Sequence, residues 1–76
     1  MSPPLPVVSG KETIAALQKS GFLIVGQKGS HVKLQHFNGN IVIIPNHKEL
    51  ASGTLRSIIR QSGLSVEHFC NLIKTL

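Results

Sequence analysis

The residues of this chain best suited to chemistry are its histidines, and one of them has a setting that fixes its position. Gln27-Lys28-Gly29-Ser30-His31 is a short polar turn between two apolar runs, Phe22-Leu23-Ile24-Val25 and Val32-Lys33-Leu34. A tight Gly-Ser turn delivers His31 onto the first residue of a strand, at the edge of a sheet. Histidine is the side chain that ordinarily titrates near neutrality, so it can give or accept a proton there. Other mechanisms lack material. The carboxylates are Glu12, Glu49 and Glu67; two of them have helix-terminal explanations, so a paired-carboxylate mechanism has no basis. There is no aspartate for a Ser-His-Asp triad, and no spacing supports a glutamate version. One cysteine and scattered histidines show no zinc-ligand spacing, and neither a P-loop nor a dinucleotide fingerprint occurs. No metal and no cofactor is expected. What remains is histidine acid/base chemistry on an anionic substrate, or no chemistry at all.

Charge points to the same class of substrate. Eight Lys/Arg against three Asp/Glu give a formal charge of +5, which calls for an anionic partner such as nucleic acid, an acidic protein or an anionic surface. Six of the eight basic residues, Lys19, Lys28, Lys33, Lys48, Arg56 and Arg60, fall between residues 19 and 60, opposed there only by Glu49. The amides of Gly53 and Thr54, at a helix start, could seat a phosphate. RNA cleavage suits such a set: a base activates the ribose 2′-hydroxyl against the neighbouring phosphorus, and cations stabilise the developing charge. Three phenylalanines without Trp or Tyr give little for stacking on bases, which favours phosphate and shape contacts.

The other titratable groups read more plainly. His36 is expected on the inner face of its strand as a packing residue, and His68 on the last helix as a solvated or capping one. His47, after Pro45-Asn46, either orients its loop or contacts RNA. The single cysteine, Cys70, excludes an intrachain disulfide, follows Phe69 in an apolar stripe and fits a reducing compartment. No apolar run approaches membrane-spanning length, and the N-terminus lacks a signal-peptide layout, so a cytoplasmic location without membrane contact is expected.

The elements that must hold His31 follow from caps, period and turns. An apolar share of 41% over 76 residues fits one folded domain, spanning residues 9–76. Residues 1–8, with three of the four prolines, are expected to be an extended, disordered tail with little packing. Ser9-Gly10-Lys11-Glu12 is a capping box opening a helix that carries Ile14 and Leu17 and stops at Gly21. Strands follow at residues 22–27, 31–37 and 41–44, the last two joined by the hairpin signal Asn38-Gly39 and the third ended by Pro45. Alternation puts Val32, Leu34 and His36 on one face of the second strand, and His31, Lys33, Gln35 and Phe37 on the other. Ser52-Gly53-Thr54 opens a helix with Leu55, Ile58 and Ile59 as its stripe, flanked by Arg56 and Arg60 and stopped by Gly63. Ser65 caps a last helix with Val66, Phe69, Cys70, Ile73 and Leu76 inward. The fold class is α+β: a three-stranded antiparallel meander with its helices on one face.

Gly21-Phe22, Gln27-Lys28-Gly29-Ser30-His31, Ile44-Pro45-Asn46-His47-Lys48-Glu49-Leu50 and Gly53-Thr54-Leu55-Arg56-Ser57-Ile58, in this order, resemble the HicA (YcfA-like) mRNA interferase toxins. The resemblance runs from about Ser9 to Leu64. It implies a double-stranded-RNA-binding-like α-β-β-β-α fold, with the helix after Leu64 as a short extra C-terminal element. It implies a metal-independent endoribonuclease acting on mRNA, whose catalytic histidine maps onto His31. Lys28, Gly29, Ser30, Lys33, His47, Lys48, Gly53, Thr54 and Arg56 are the residues expected to contact RNA. The implied partner is a HicB-type antitoxin whose acidic surface covers the basic face, with DNA met only through the antitoxin complex. Many family members carry arginine before the glutamine of the turn, where this chain has Gly26; if that arginine helps hold RNA, either Lys28 or Lys33 substitutes for it or activity is weak. The alternative is a small dsRNA-binding-like module without catalysis.

Overall fold

In the computed structural model, which describes residues 4–76, the capping box at Ser9 is formed as its spacing predicts. The Ser9 hydroxyl accepts from the Glu12 amide at 3.0 Å, and the Glu12 carboxylate accepts from the Ser9 amide at 2.9 Å. This starts helix α1 (Gly10–Lys19), which buries Thr13, Ile14, Ala16 and Leu17. Gly21, at φ +108°, then turns the chain into strand β1 (Phe22–Lys28). Strands β2 (His31–His36) and β3 (Ile41–Pro45) complete an antiparallel meander in the order β1-β2-β3. Helix α2 (Ser52–Ser62) and helix α3 (Val66–Lys74) follow, so that the described residues run α-β-β-β-α-α. The class is the expected α+β.

The period-2 reading of β2 holds. Val32 and Leu34 are buried, and His31, Lys33 and Gln35 are exposed. Val42 and Ile44 on β3 join them in one core with Leu17, Phe22, Leu55, Ile58, Ile59 and Phe69. Helices therefore cover one face of the sheet, and the other stands open. Strand limits shift slightly from the sequence reading: Lys28 and Pro45 pair at the strand ends, while Phe37 lies in the β2–β3 turn and is 93% exposed.

Two further corrections concern packing. Residues 1–3 of the expected eight-residue tail lie outside the described residues, but the end of that tail is part of the fold. Val8 is buried, Leu5 packs on the core, and the Val8 carbonyl accepts from the Leu50 amide at 2.9 Å. The prolines do keep the segment out of a helix; they do not stop one valine from filling a gap beside Leu50. On α3, Phe69 is fully buried and Val66, Leu72 and Ile73 pack against the core, whereas Leu76 lies beyond the helix end and is 54% exposed. The Lys19 ammonium ties the end of α3 to α1, donating to the Thr75 carbonyl at 2.8 Å and to its hydroxyl. No helix among the described residues is long and apolar enough to cross a membrane.

Candidate functional site

Strand register builds the open face row by row. His31 lies between Lys28 on β1 and Pro45 on β3; Lys33 lies between Gly26 and Ile43; Gln35 lies between Leu23 and Ile41. Residues paired across a sheet point to the same side. The row of Lys28, His31 and Pro45 is thus followed by Gly26, Lys33 and Ile43, then by Leu23, Gln35 and Ile41. The β1–β2 register shifts between Ile24 and Gly26, leaving Val25 as an extra residue, and this bulge lets β1 keep both halves of its pairing. It lies away from the turn, so the orientation of His31 read from period survives.

The turn itself is rigidly built. Gly29 has φ +59° at the first central position and Ser30 has no positive φ, the glycine-first pattern of a tight hairpin. The Gln27 side-chain amide donates to the Gly29 carbonyl at 3.1 Å, and the Asn46 amide donates to the Ser30 carbonyl at 2.7 Å. His31 therefore sits on a strand start clamped from both neighbours. Its ring is exposed and has no hydrogen-bond partner among the described residues, so both ring nitrogens are open to a substrate.

A shallow concavity of about 600 Å³ lies over this end of the face, lined by Gly26, Gln27, Lys28, Gly29, His31, Lys33 and Ile43. A second hollow of about 380 Å³ lies toward the other end, against Leu23, Val25, Gln35, His36 and Phe37. The face thus grades from a cationic end with an imidazole to an aliphatic end. Leu23, Val25 and Ile41 are exposed there.

The expected site residues divide into groups. Lys28, Gly29, His31 and Lys33 come together around the larger concavity, and Ser30 sits in the adjoining turn without lining it. His47 and Lys48 are exposed on the loop after β3, which is fixed by the Gly10 amide donating to the His47 carbonyl at 2.8 Å and by the Asn46–Ser30 bond. Gly53, Thr54 and Arg56 belong to α2, in the helical layer, as does Arg60. Lys19 is engaged with Thr75. The basic residues are therefore not one open-face patch: period assigns a side within an element, and the layering of the elements then separates those sides. The first turn of α2 has Ala51 as N-cap with no side-chain bond among the described residues, and its first intrahelical bond runs from the Leu55 amide to Ala51. Its leading amides thus lack acceptors within the helix.

His36 is a packing residue. Its Nδ1 accepts from the Asn38 amide and its Nε2 lies 3.2 Å from the Ser20 carbonyl, which it reaches as donor. Its ring meets Phe22 edge-on at 5.1 Å. Ile43 is the residue of the concavity that no sequence motif singles out; Gly26 and Gln27 belong to the turn motif but are not among the residues expected to contact RNA. The hairpin signal at Asn38-Gly39 fixes β3 against β2, and carrying that register along β3 brings Ile43 beside Lys33. Among the described residues no group of three or more His, Cys, Asp or Glu side chains comes together.

A search of curated proteins gives no match to this chain. A family model, described as the HicA toxin of bacterial toxin-antitoxin, matches residues 10–64, from the first residue of α1 through the end of α2 and across the whole sheet. That span holds the turn, His31 and every residue of the larger concavity. The chain belongs to the HicA toxin family of bacterial toxin-antitoxin systems.

Proposed function

We propose that this toxin is an endoribonuclease that cleaves mRNA with His31 as its catalytic histidine, without a metal. The observation that carries the reading is the row of Lys28 and His31 beside Lys33, around a concavity on an open face, in a chain of this family. In the proposed step an imidazole nitrogen takes the proton of a ribose 2′-hydroxyl. The freed oxygen bonds to the adjacent phosphorus, the P–O5′ bond breaks, and the departing oxygen takes up a proton. The products are a 2′,3′-cyclic phosphate and a 5′-hydroxyl. In the complementary role, His31 supplies the proton to the departing oxygen. Lys28 and Lys33, with the Gly29 and Ser30 backbone, hold the phosphate and stabilise its charge. A strand leaving this face past His47 and Lys48 would meet the Gly53 and Thr54 amides and Arg56 at the start of α2.

A HicB-type antitoxin is the proposed neutralising partner, with an acidic surface over Lys28, His31 and Lys33. The aliphatic end of the same face supports a protein partner, because exposed Leu23, Val25 and Ile41 beside charged residues form the kind of patch that a partner buries. DNA is then reached only through the antitoxin complex, and the setting is the cytoplasm. The test is a purified His31→Ala protein, which should fold, bind RNA like the parent and lose cleavage. Cleavage at the parental rate by that variant would end the assignment. Wild-type protein that binds RNA with strong salt dependence, yet yields no product on long incubation, would be a binding module instead.

A further inference from the structure

Gly26 lies in the middle of β1, where glycine weakens a strand because it brings no side chain and much chain entropy. Neither conformation nor packing calls for it. Its φ is not positive, and a Cβ built on it meets nothing within 4 Å. What glycine does at this position is keep the larger concavity open. Gly26 and Ile43 are the uncharged parts of its floor, with Lys33 paired between them, and Lys28 and His31 stand in the adjacent row. The volume, about 600 Å³, is ample for one small-molecule-sized group.

A floor whose uncharged parts flank one cation and adjoin another selects a ligand that is flat and weakly polar on its face and carries an anion at its edge. A free phosphate would not use the floor. An aliphatic protein side chain finds more apolar company at the other end of the face, around Leu23, Val25 and Ile41. A nucleobase joined to its sugar-phosphate fits both parts. In an A-form duplex the bases are stacked and their edges lie in grooves, so a base reaches such a hollow only from a single strand or after extrusion, which is unfavourable. We propose that the Gly26–Ile43 concavity is a nucleobase subsite that holds the base adjoining the scissile phosphate, and that it makes single-stranded RNA the substrate class. This rests on the ribonuclease reading above, and Gly26 is the residue that sets the depth of the subsite.

The test uses full-length protein and fluorescent 2′-fluoro RNA, which has no 2′-hydroxyl and cannot be cut by the proposed step. Three probes of one length are compared: a single strand, the same strand paired with its complement, and an abasic strand. The single strand should bind about tenfold tighter than the other two, the scale of taking roughly 50–60 Å² of weakly polar base surface out of water. Gly26→Leu, which fills the hollow without changing charge, should lose that advantage while binding the abasic strand as before. Gly26→Ala should keep it. Equal wild-type affinity for all three probes overturns the subsite whether or not any variant folds, and so does unchanged single-strand binding by Gly26→Leu. Cleavage of unmodified RNA is scored separately. Base-dependent binding without cleavage leaves the subsite standing and removes the catalytic reading, whereas cleavage indifferent to pairing and to bases does the reverse.

Discussion

At position 10 a side chain has nowhere to go. A Cβ there would lie 2.8 Å from the Asn46 Cα and 3.0 Å from the His47 amide nitrogen, and against the Pro45 carbonyl oxygen. All three are backbone groups that cannot swing aside, and the Gly10 amide is bonded to the His47 carbonyl. Gly10→Ala should therefore push away the loop that carries His47 and Lys48 and destabilise the fold by about 1–3 kcal/mol, the usual scale of overpacking. Gly26 predicts the opposite sign. Its surroundings are empty and its backbone suits any residue, so Gly26→Ala should raise stability by about 0.4–1 kcal/mol through loss of freedom in the unfolded chain. Urea unfolding of both variants checks the pair, and a stabilised Gly10→Ala or a destabilised Gly26→Ala would contradict it. The place of His31 at a strand start was readable at this scale because Gly29-Ser30 is turn chemistry visible in residue types alone. The status of Gly10 was not, because the groups it touches come from 35 and more residues further on.

Among the elements, α3 has the least family support and much of the structural weight. It lies beyond the matched residues 10–64, yet its Phe69 is fully buried in the core and its end is tied to α1 through Lys19 and Thr75. Phe69→Ala should cost about 3–5 kcal/mol. A domain of this size has roughly 5–15 kcal/mol in all, so the variant should melt far below the parent or fail to fold. A melting temperature within a few degrees of wild type would show that α3 is dispensable. Helices and hairpins were legible from caps, apolar stripes and the Gly-Ser and Asn-Gly turns, because these signals are local. Three things were not local. Val8 reads as part of a proline-rich tail until Leu50 is placed beside it. The bulge at Val25 has no signal in a continuous apolar run. Leu76 continues the stripe of α3 on paper, but the helix ends before it.

For the whole molecule, the decisive property is how a charge of +5 is divided between two layers. Lys28 and Lys33 stand on the open face with His31, while Arg56 and Arg60 stand on the helix that packs against the opposite face. A linear count of basic residues merges these sets, and only the layering separates them. The separation gives a test. Each phosphate contact on a single strand adds about 0.7 to the slope of log affinity against log salt, so Lys33→Gln and Arg56→Gln should each flatten that slope by about 0.7 if the strand runs from the open face past residues 46–48 to α2. Their effects on cleavage should differ. Lys33 neighbours His31 on β2 and should lower the rate at saturating RNA, whereas Arg56 should raise the RNA concentration needed and leave that rate alone. Salt titrations of binding and saturation curves of cleavage measure both. If Arg56→Gln leaves the slope at its wild-type value, the RNA path ends on the sheet, and the helical-layer charge serves something other than this substrate.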